Sequence, residues 1–441
     1  MKEYKKLKSL ADKIFKASKA DQTEVLFANT NQLLTRFSKN SVHQNVMTTD
    51  NQVFIRVIKG KRIGSASTNR IDSEGLIQTL HKAIEIANLQ KVDEKFQSLP
   101  DEKECIIEEK PVKINPKDLA NKVETIIEIA VDQGVNAFGA VKRENGEIGI
   151  FNSLGTSSYR TSTLEGLNLV MMNGELSGYG ALSARNLEMN DIERIALNAS
   201  KKCKSKYAPM SVNPGKYNVF LEEYAVITML MMLNYMGFSG LKFLEDRSFL
   251  SGKIGKKITG NDITIYDDGM SERGLPTYFD FEGKRKKKVI LIEKGIGKAV
   301  VYDSYTANLG KTKNTGHSLP QPNLFGPYCL NIFMKSGDKD VNDMISSIKK
   351  GIYITRFHYV NVVHPQKTIM TGMTRDGTFL IENGEITKPI KNLRFTQSIL
   401  EAFKNTQMLS KKTKLLSLEG ESYVAPAVLV KGFNFTGVSE M

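Results

Sequence analysis

The spacing of apolar residues changes several times along the chain, and each change marks an element. Leu7, Leu10, Ile14 and Phe15 recur at helical spacing, which predicts an amphipathic helix over residues 1–15. That stretch is lysine-rich but has no apolar h-region and no small-residue cleavage site, so it reads as structure and not as a secretory signal. Residues 24–27 and 32–37 read as two strands paired across the turn-prone Asn29-Thr30-Asn31. A strand over 53–58 turns at 59–62 into residues 63–67. A helix capped by Asp72 or Ser73 then runs to residue 88.

Residues 89–113 are polar, acidic and weakly patterned, as expected of a linker or long loop. Leu119, Val123, Ile126 and Ile127 form one stripe of a helix over 116–132. Strands follow at 138–142, 147–152 and 157–164, with Asn145-Gly146 marking a hairpin between the first two. A helix over 190–204 closes this half. Past Pro209 the texture changes: Asn213-Pro214-Gly215 is a break, 217–221 a strand and 222–236 a long apolar helix. The rest is strand-rich and glycine-punctuated, with helices near 341–349 and 396–405. The expected fold class is α+β in two domains. Residues 1–209 form an α+β domain with a subdivision near 90–113, and residues 210–441 a β-rich domain of barrel or sandwich type.

Composition narrows the class. Of 441 residues, 40% are hydrophobic and 25% charged, the balance of a soluble globular protein. No apolar run reaches the roughly 18 residues of a spanning helix, so no membrane role is expected and the cytoplasm is the expected compartment. Cys105, Cys203 and Cys329 lie far apart with no CxxC pair, which argues against a disulfide framework or a thiolate zinc cluster. The formal net charge is +14, but its lysines are dispersed along the chain and Lys far outnumbers Arg. Dispersed lysine describes a solvated surface better than a nucleic-acid footprint. The densest basic run is Lys284-Arg285-Lys286-Lys287-Lys288, placed in a hairpin turn leading into a strand. Such a turn protects a sheet edge, and its functional alternative is contact with an acidic partner or peptide through Lys284 and Arg285.

Ordered motifs run through both halves. Leu34-Thr35-Arg36-Phe37 with His43-Gln44-Asn45, and Gly64-Ser65-Ala66-Ser67-Thr68-Asn69, come first. Tyr278-Phe279-Asp280-Phe281-Glu282-Gly283, Asp303-Ser304-Tyr305-Thr306-Ala307, Thr315-Gly316-His317 and Arg356-Phe357-His358-Tyr359-Val360-Asn361 follow. Gly372-Met373-Thr374-Arg375-Asp376-Gly377, the hairpin 380–386 and the ending Phe433-Asn434-Phe435-Thr436-Gly437 complete the series. In this order they resemble the TldD/PmbA family over most of the chain. The resemblance implies two kinds of chain. TldD-like chains carry HExxxH on a helix near the start of the second domain and a cysteine near the C-terminus, bind zinc and cleave peptides. TldE-like (PmbA) chains lack the motif and pair with a TldD-like chain in a closed assembly acting on flexible peptides.

Zinc peptidase chemistry needs two imidazoles converging from one helix and a glutamate to activate water. Set at the start of the apolar helix, the motif falls on Glu222, Glu223 and Ile227. Set deeper, as the family pattern favours, it falls on Met231, Met232 and Met236. No histidine occurs between His81 and His317, and no cysteine after Cys329, so both placements fail. The reading is therefore a TldE-like, non-catalytic subunit. Zinc is expected in a TldD-like partner within a hetero-oligomer, with a homo-oligomer as the other arrangement and flexible peptide as substrate. Two rivals stand beside it. One is an active metallopeptidase using Glu222, Glu223 and one of His317, His358 or His364. The other is a basic regulatory module binding nucleic acid or a topoisomerase.

Each candidate also has a plain structural reading. Glu222 and Glu223 suit a helix N-terminus without any metal. His358 and His364 fall on one face of a strand, but roughly 20 Å apart if it is straight. Met232 and Met236 are candidates for contact with a partner, against ordinary core packing.

Overall fold

The computed structural model describes residues 1–438. The first region runs α1 (Lys2–Ala17), β1 (Gln22–Ser38), β2 (Ser41–Lys59), β3 (Arg62–Thr68), α2 (Ser73–Leu89) and β4 (Cys105–Ile107). It continues with α3 (Pro116–Asp132), β5 (Asn136–Asn152), β6 (Ser157–Asn173), β7 (Leu176–Ala184) and α4 (Met189–Lys202). Its sheet has the order β3-β2-β1-β5-β6-β4, with β7 also on β6. The strands are long enough to carry two cores in succession. At one end Tyr4, Leu7 and Ile14 of α1 and Leu76 and Leu80 of α2 pack on Val25, Phe27 and Ile55. At the other, Leu119, Val123 and Ile126 of α3 and Ile192 and Ile195 of α4 pack on Leu33, Phe37 and Leu169.

Two expected turns are absent. Asn29-Thr30-Asn31 lies inside β1 and Asn145-Gly146 inside β5, and the two segments are partners: Thr30 faces Gly146 and Asn31 faces Asn145. Both strands are laddered on both sides, β1 by β2 and β5 by β6, so non-local hydrogen bonding overrides the local turn preference. The polar pair marks the gap between the two helix-covered cores. The 90–113 segment is not a free linker either. Phe96, Leu99 and Cys105 are buried, and β4 pairs in parallel with β6.

The second region runs β8 (Gly215–Leu221), α5 (Glu223–Gly237), α6 (Gly240–Leu244), β9 (Ile265–Asp267), β10 (Val289–Glu293), β11 (Ile296–Gly297), α7 (Ser304–Leu309) and β12 (Asn331–Met334). Then come α8 (Val341–Ser346), β13 (Lys350–His364), β14 (Ile369–Glu382), β15 (Glu385–Pro389), β16 (Leu393–Ser398), α9 (Ile399–Lys404), β17 (Thr406–Leu418) and β18 (Glu421–Val438). Strands β8, β13, β14, β16 and β18 pair in a ring, because β18 pairs with β8 as well as with β16. Closure removes the free edges of those strands. Helix α5 is apolar around most of its circumference, as suits a helix largely enclosed by core, and it packs on β13 and β18, with Tyr235 left exposed. The molecule is thus α+β, with an N-terminal α+β region and a β-rich C-terminal sheet.

Candidate functional site

Strand β8 is held between β13 and β18, which fixes the point where α5 begins. Glu222 is the N-cap residue, but its side chain makes no cap bond. It turns instead into a buried polar cluster. It accepts the Tyr353 hydroxyl and the Thr355 hydroxyl (3.2 Å) and pairs with Lys202 at the end of α4. Glu223 pairs with Lys414 of β17 at 3.3 Å, and that ammonium lies 3.7 Å from the Tyr224 ring centre. The Tyr224 hydroxyl donates to Ala181 O of β7 at 3.1 Å.

The electrostatics match this geometry. Burial alone would raise the Glu222 carboxyl, but Lys202 and Lys414 outweigh it and hold it below its ordinary value. Burial works against the charge on Lys414, yet Glu223, Tyr224 and Glu222 lift it above the usual lysine range. Burial lowers Lys202. Both glutamates are thereby committed to ammonium groups and offer no free carboxylate to a metal.

Farther along α5 the methionines divide. Met229 and Met236 are buried in the core of the chain itself, so Met236 is not available to a partner, while Met231 and Met232 are half-buried. Ile227 is fully buried. Among the positions on which the motif would fall, the deeper set supplies two thioethers at ligand positions and a third in place of the glutamate. The shallower set supplies isoleucine and two ion-paired carboxylates. Zinc takes imidazole, thiolate or free carboxylate, and these residues do not fit it.

The late histidines are dispersed. His317 is buried, with Nε2 2.8 Å from Asp267 Oδ1 and Nδ1 3.0 Å from Thr315 O. Burial and Lys286 lower its pKa, against the pull of Asp267. The His358 ring lies 4.3 Å from the Tyr359 ring, tilted by 56°, and His364 leads into the turn at Pro365. The pairing of β13 with β14 shifts register between His358 and Asn361 and again between Val362 and His364. The even spacing therefore does not translate into one flat face. Among the described residues, no group of three His, Cys, Asp or Glu side chains is placed to hold a metal ion.

The basic run is not a uniformly solvated turn. Lys286 is buried, 3.5 Å from Asp267, and Lys284 pairs with Glu102 of the first region. Lys288 lies 4.1 Å over the Tyr266 ring, while Arg285 and Lys287 are exposed. A second buried ionic group joins the two regions. Arg56 of β2 reaches Glu24 at 2.9 Å and Glu282 at 3.3 Å. None of these partnerships is visible in the sequence. Arg56 is a single charge in an apolar stretch, and that is the only local signal it gives, whereas Lys202, Lys414 and Asp267 stand close to other charged residues.

Comparison with known proteins places this architecture. Residues 214–437 match the family model described as the PmbA/TldA metallopeptidase C-terminal domain, and residues 23–87 match its domain 1. An uncharacterised protein of Methanocaldococcus jannaschii is 28% identical over 93% of this chain and 95% of its own length. A metalloprotease TldD homologue of Haemophilus influenzae is 31% identical over 39% of this chain and 36% of that protein. The crystal structure of TldE from Thermococcus kodakarensis superposes with a TM-score of 0.86, at 23% identity over 98% of this chain and 100% of that one, and so shares its fold. With the C-terminal model spanning half the sequence and the domain 1 model matching the first sheet, the chain is a metallopeptidase-related member of the TldD/PmbA family.

Proposed function

We propose that the chain is a non-catalytic, TldE-like subunit that completes a peptidase assembly with a zinc-bearing TldD-like chain. The observation that carries this reading is the state of α5. At the ligand positions of HExxxH it presents methionine, and the glutamates at its start are locked to Lys202 and Lys414. The fold likeness to a protein named TldE and the sequence likeness to metalloproteases named TldD support the pairing. Its role is to close the chamber and hold flexible peptide near the partner's metal. Main-chain hydrogen bonding to an extended peptide gives such holding low sequence selectivity.

The test uses the full chain alone and then mixed with a TldD-like chain. Metal content is measured by mass spectrometry, cleavage on an unstructured peptide and association by light scattering. The expected result is no stoichiometric zinc and no cleavage by the chain alone, a defined complex on mixing, and cleavage by the complex. Stoichiometric zinc together with cleavage by the isolated chain overturns the proposal, and so does failure of the two chains to associate.

A further inference from the structure

Strand β2 forms part of an open sheet edge. On one side β1 pairs with it from Ser41 to Ile58, but on the other side β3 reaches only as far as Val53, which faces Thr68. Among the described residues no other strand pairs with β2. Residues 41–52 are exposed, apart from half-buried Val46 and Asn51. We propose that this edge of β2 binds an extended peptide as an added strand. The inference rests on the proposed peptide-holding role, and it assigns that role to a segment of the first region and not to α5.

The hairpin at the far end of β2 fixes which way the main chain points along this edge. Lys59 faces Arg62 across the two-residue loop Gly60-Lys61, both at positive φ. Residues that flank such a loop exchange both main-chain hydrogen bonds. Lys59, Val57, Ile55 and Val53 therefore turn N–H and C=O toward β3. The register between β1 and β2 runs without a shift from Ile58 to Gln44, so the alternation continues through Asn51, Thr49, Met47 and Asn45. These residues present their N–H and C=O groups where β3 has ended, with no strand opposite them.

Sheets usually protect such an edge with lysine, proline or a bulge. Residues 41–52 contain no lysine, arginine or proline, and Asp50 is their one acid. The register shift lies at the tip, where Arg36 and Phe37 pair with Gln44 and Val42, and leaves the stretch from Asn45 to Asn51 regular. What fits an open edge is a second extended backbone. A second copy of this chain suits it poorly. Lasting homodimers rest on large apolar contacts, and along this edge only Val42 and Met47 are large exposed hydrophobics, on a chain of net charge +14. The other exposed side chains here are Ser, His, Gln, Asn, Thr and Asp. Binding therefore depends on main-chain hydrogen bonds and little on the sequence of the peptide.

The probe is a capped, fluorescein-labelled peptide of alternating threonine and glutamine, titrated with the full chain and followed by fluorescence anisotropy. Saturable binding is the expected result. Methylating the peptide nitrogens at alternate residues leaves one edge with its N–H groups and should preserve binding. Methylating every residue should weaken it at least tenfold. Hydrogen exchange of the native chain, with and without saturating peptide, should show added protection within residues 41–52. Met47→Pro removes an outward N–H that no bond within the sheet uses, a setting in which strands tolerate proline. It should keep the melting temperature within a few degrees and weaken peptide binding at least tenfold. The proposal is overturned if binding does not saturate, if the fully methylated peptide binds like its parent, or if added protection falls only outside 41–52. It is also overturned if folded Met47→Pro binds peptide like the native chain. The same holds if that variant instead abolishes a native dimer or the complex with a TldD-like chain, which gives the edge to a protein partner. Each of these outcomes leaves the subunit reading standing. Failure to pair with a TldD-like chain, with protection of 41–52 intact, removes that reading and leaves this site.

Discussion

Glu222 shows how much one side chain is asked to do at the start of α5. It is buried, it faces Lys202, Tyr353 and Thr355, and its charge is what makes that set stable. Glu222→Gln leaves the Lys202 ammonium buried without its ion. Breaking a buried pair from one side costs about 3–5 kcal/mol, and urea denaturation should show a loss of that order. Adding Lys202→Met removes the stranded charge and should recover most of it; a double variant no more stable than the single would refute this account. His317 makes a second prediction at the same scale. Its pKa is lowered from 6.5 in the fold, first by burial and then by Lys286. Below pH 6.5 the unfolded chain takes up a proton that the folded chain refuses. The contribution is therefore complete above 6.5 and is lost as pH falls toward the folded value. The melting temperature should drop over that interval more steeply in the native chain than in His317→Gln, and parallel profiles would exclude His317 as the source.

At the scale of elements, the way α2 is seated on its sheet rests on a glycine. A Cβ at Gly64 of β3 would fall 2.1 Å from Ala83 O and 2.4 Å from Ala87 N, both backbone atoms of α2. Gly64→Ala must push the helix off the sheet, which costs typically 1–3 kcal/mol; a melting temperature within a degree of the native one would contradict this. Helices of this kind were readable from the sequence because their signals are local. The single apolar stripe over residues 116–132 predicts a helix, and α3 is Pro116–Asp132. Asp72, one of two expected caps for α2, accepts the Gly75 N–H at 2.9 Å. The strand boundaries were less legible. Asn29-Thr30-Asn31 and Asn145-Gly146 carry turn chemistry, but they face each other in register in mid-sheet. The burial of Lys286 within a run of five basic residues was hidden for a related reason. Its partner Asp267 and neighbour His317 come from distant segments, and no window of sequence contains all three.

For the whole molecule, the junction between its two regions combines apolar contacts, such as Leu26, Cys105 and Ile150 with Phe279, with ionic and polar ones. Ser158 Oγ donates to Gly283 O at 3.0 Å, Ser177 Oγ donates to Asp376, and Arg185 pairs with Glu272 at 2.7 Å. Among the ion pairs named, the buried one is that of Arg56, with Glu24 beside it in the first region and Glu282 across the junction. One guanidinium thus partly offsets the charge of two carboxylates whose burial is otherwise unfavourable. Arg56→Met preserves most of the volume and removes the charge, so its effect should depend on pH. Glu24 is already raised by burial, against the pull of Arg56, and without that pull it rises further. A carboxyl whose folded pKa is raised contributes stability that is fully present below its unfolded value and lost as pH rises through the folded one. The variant should therefore lie close to the native chain in stability near pH 4 and fall about 3–5 kcal/mol below it by pH 8, measured by urea denaturation at each pH. A gap that stays constant across that range would mean that Arg56 acts by packing alone, and that the junction is not held by charge.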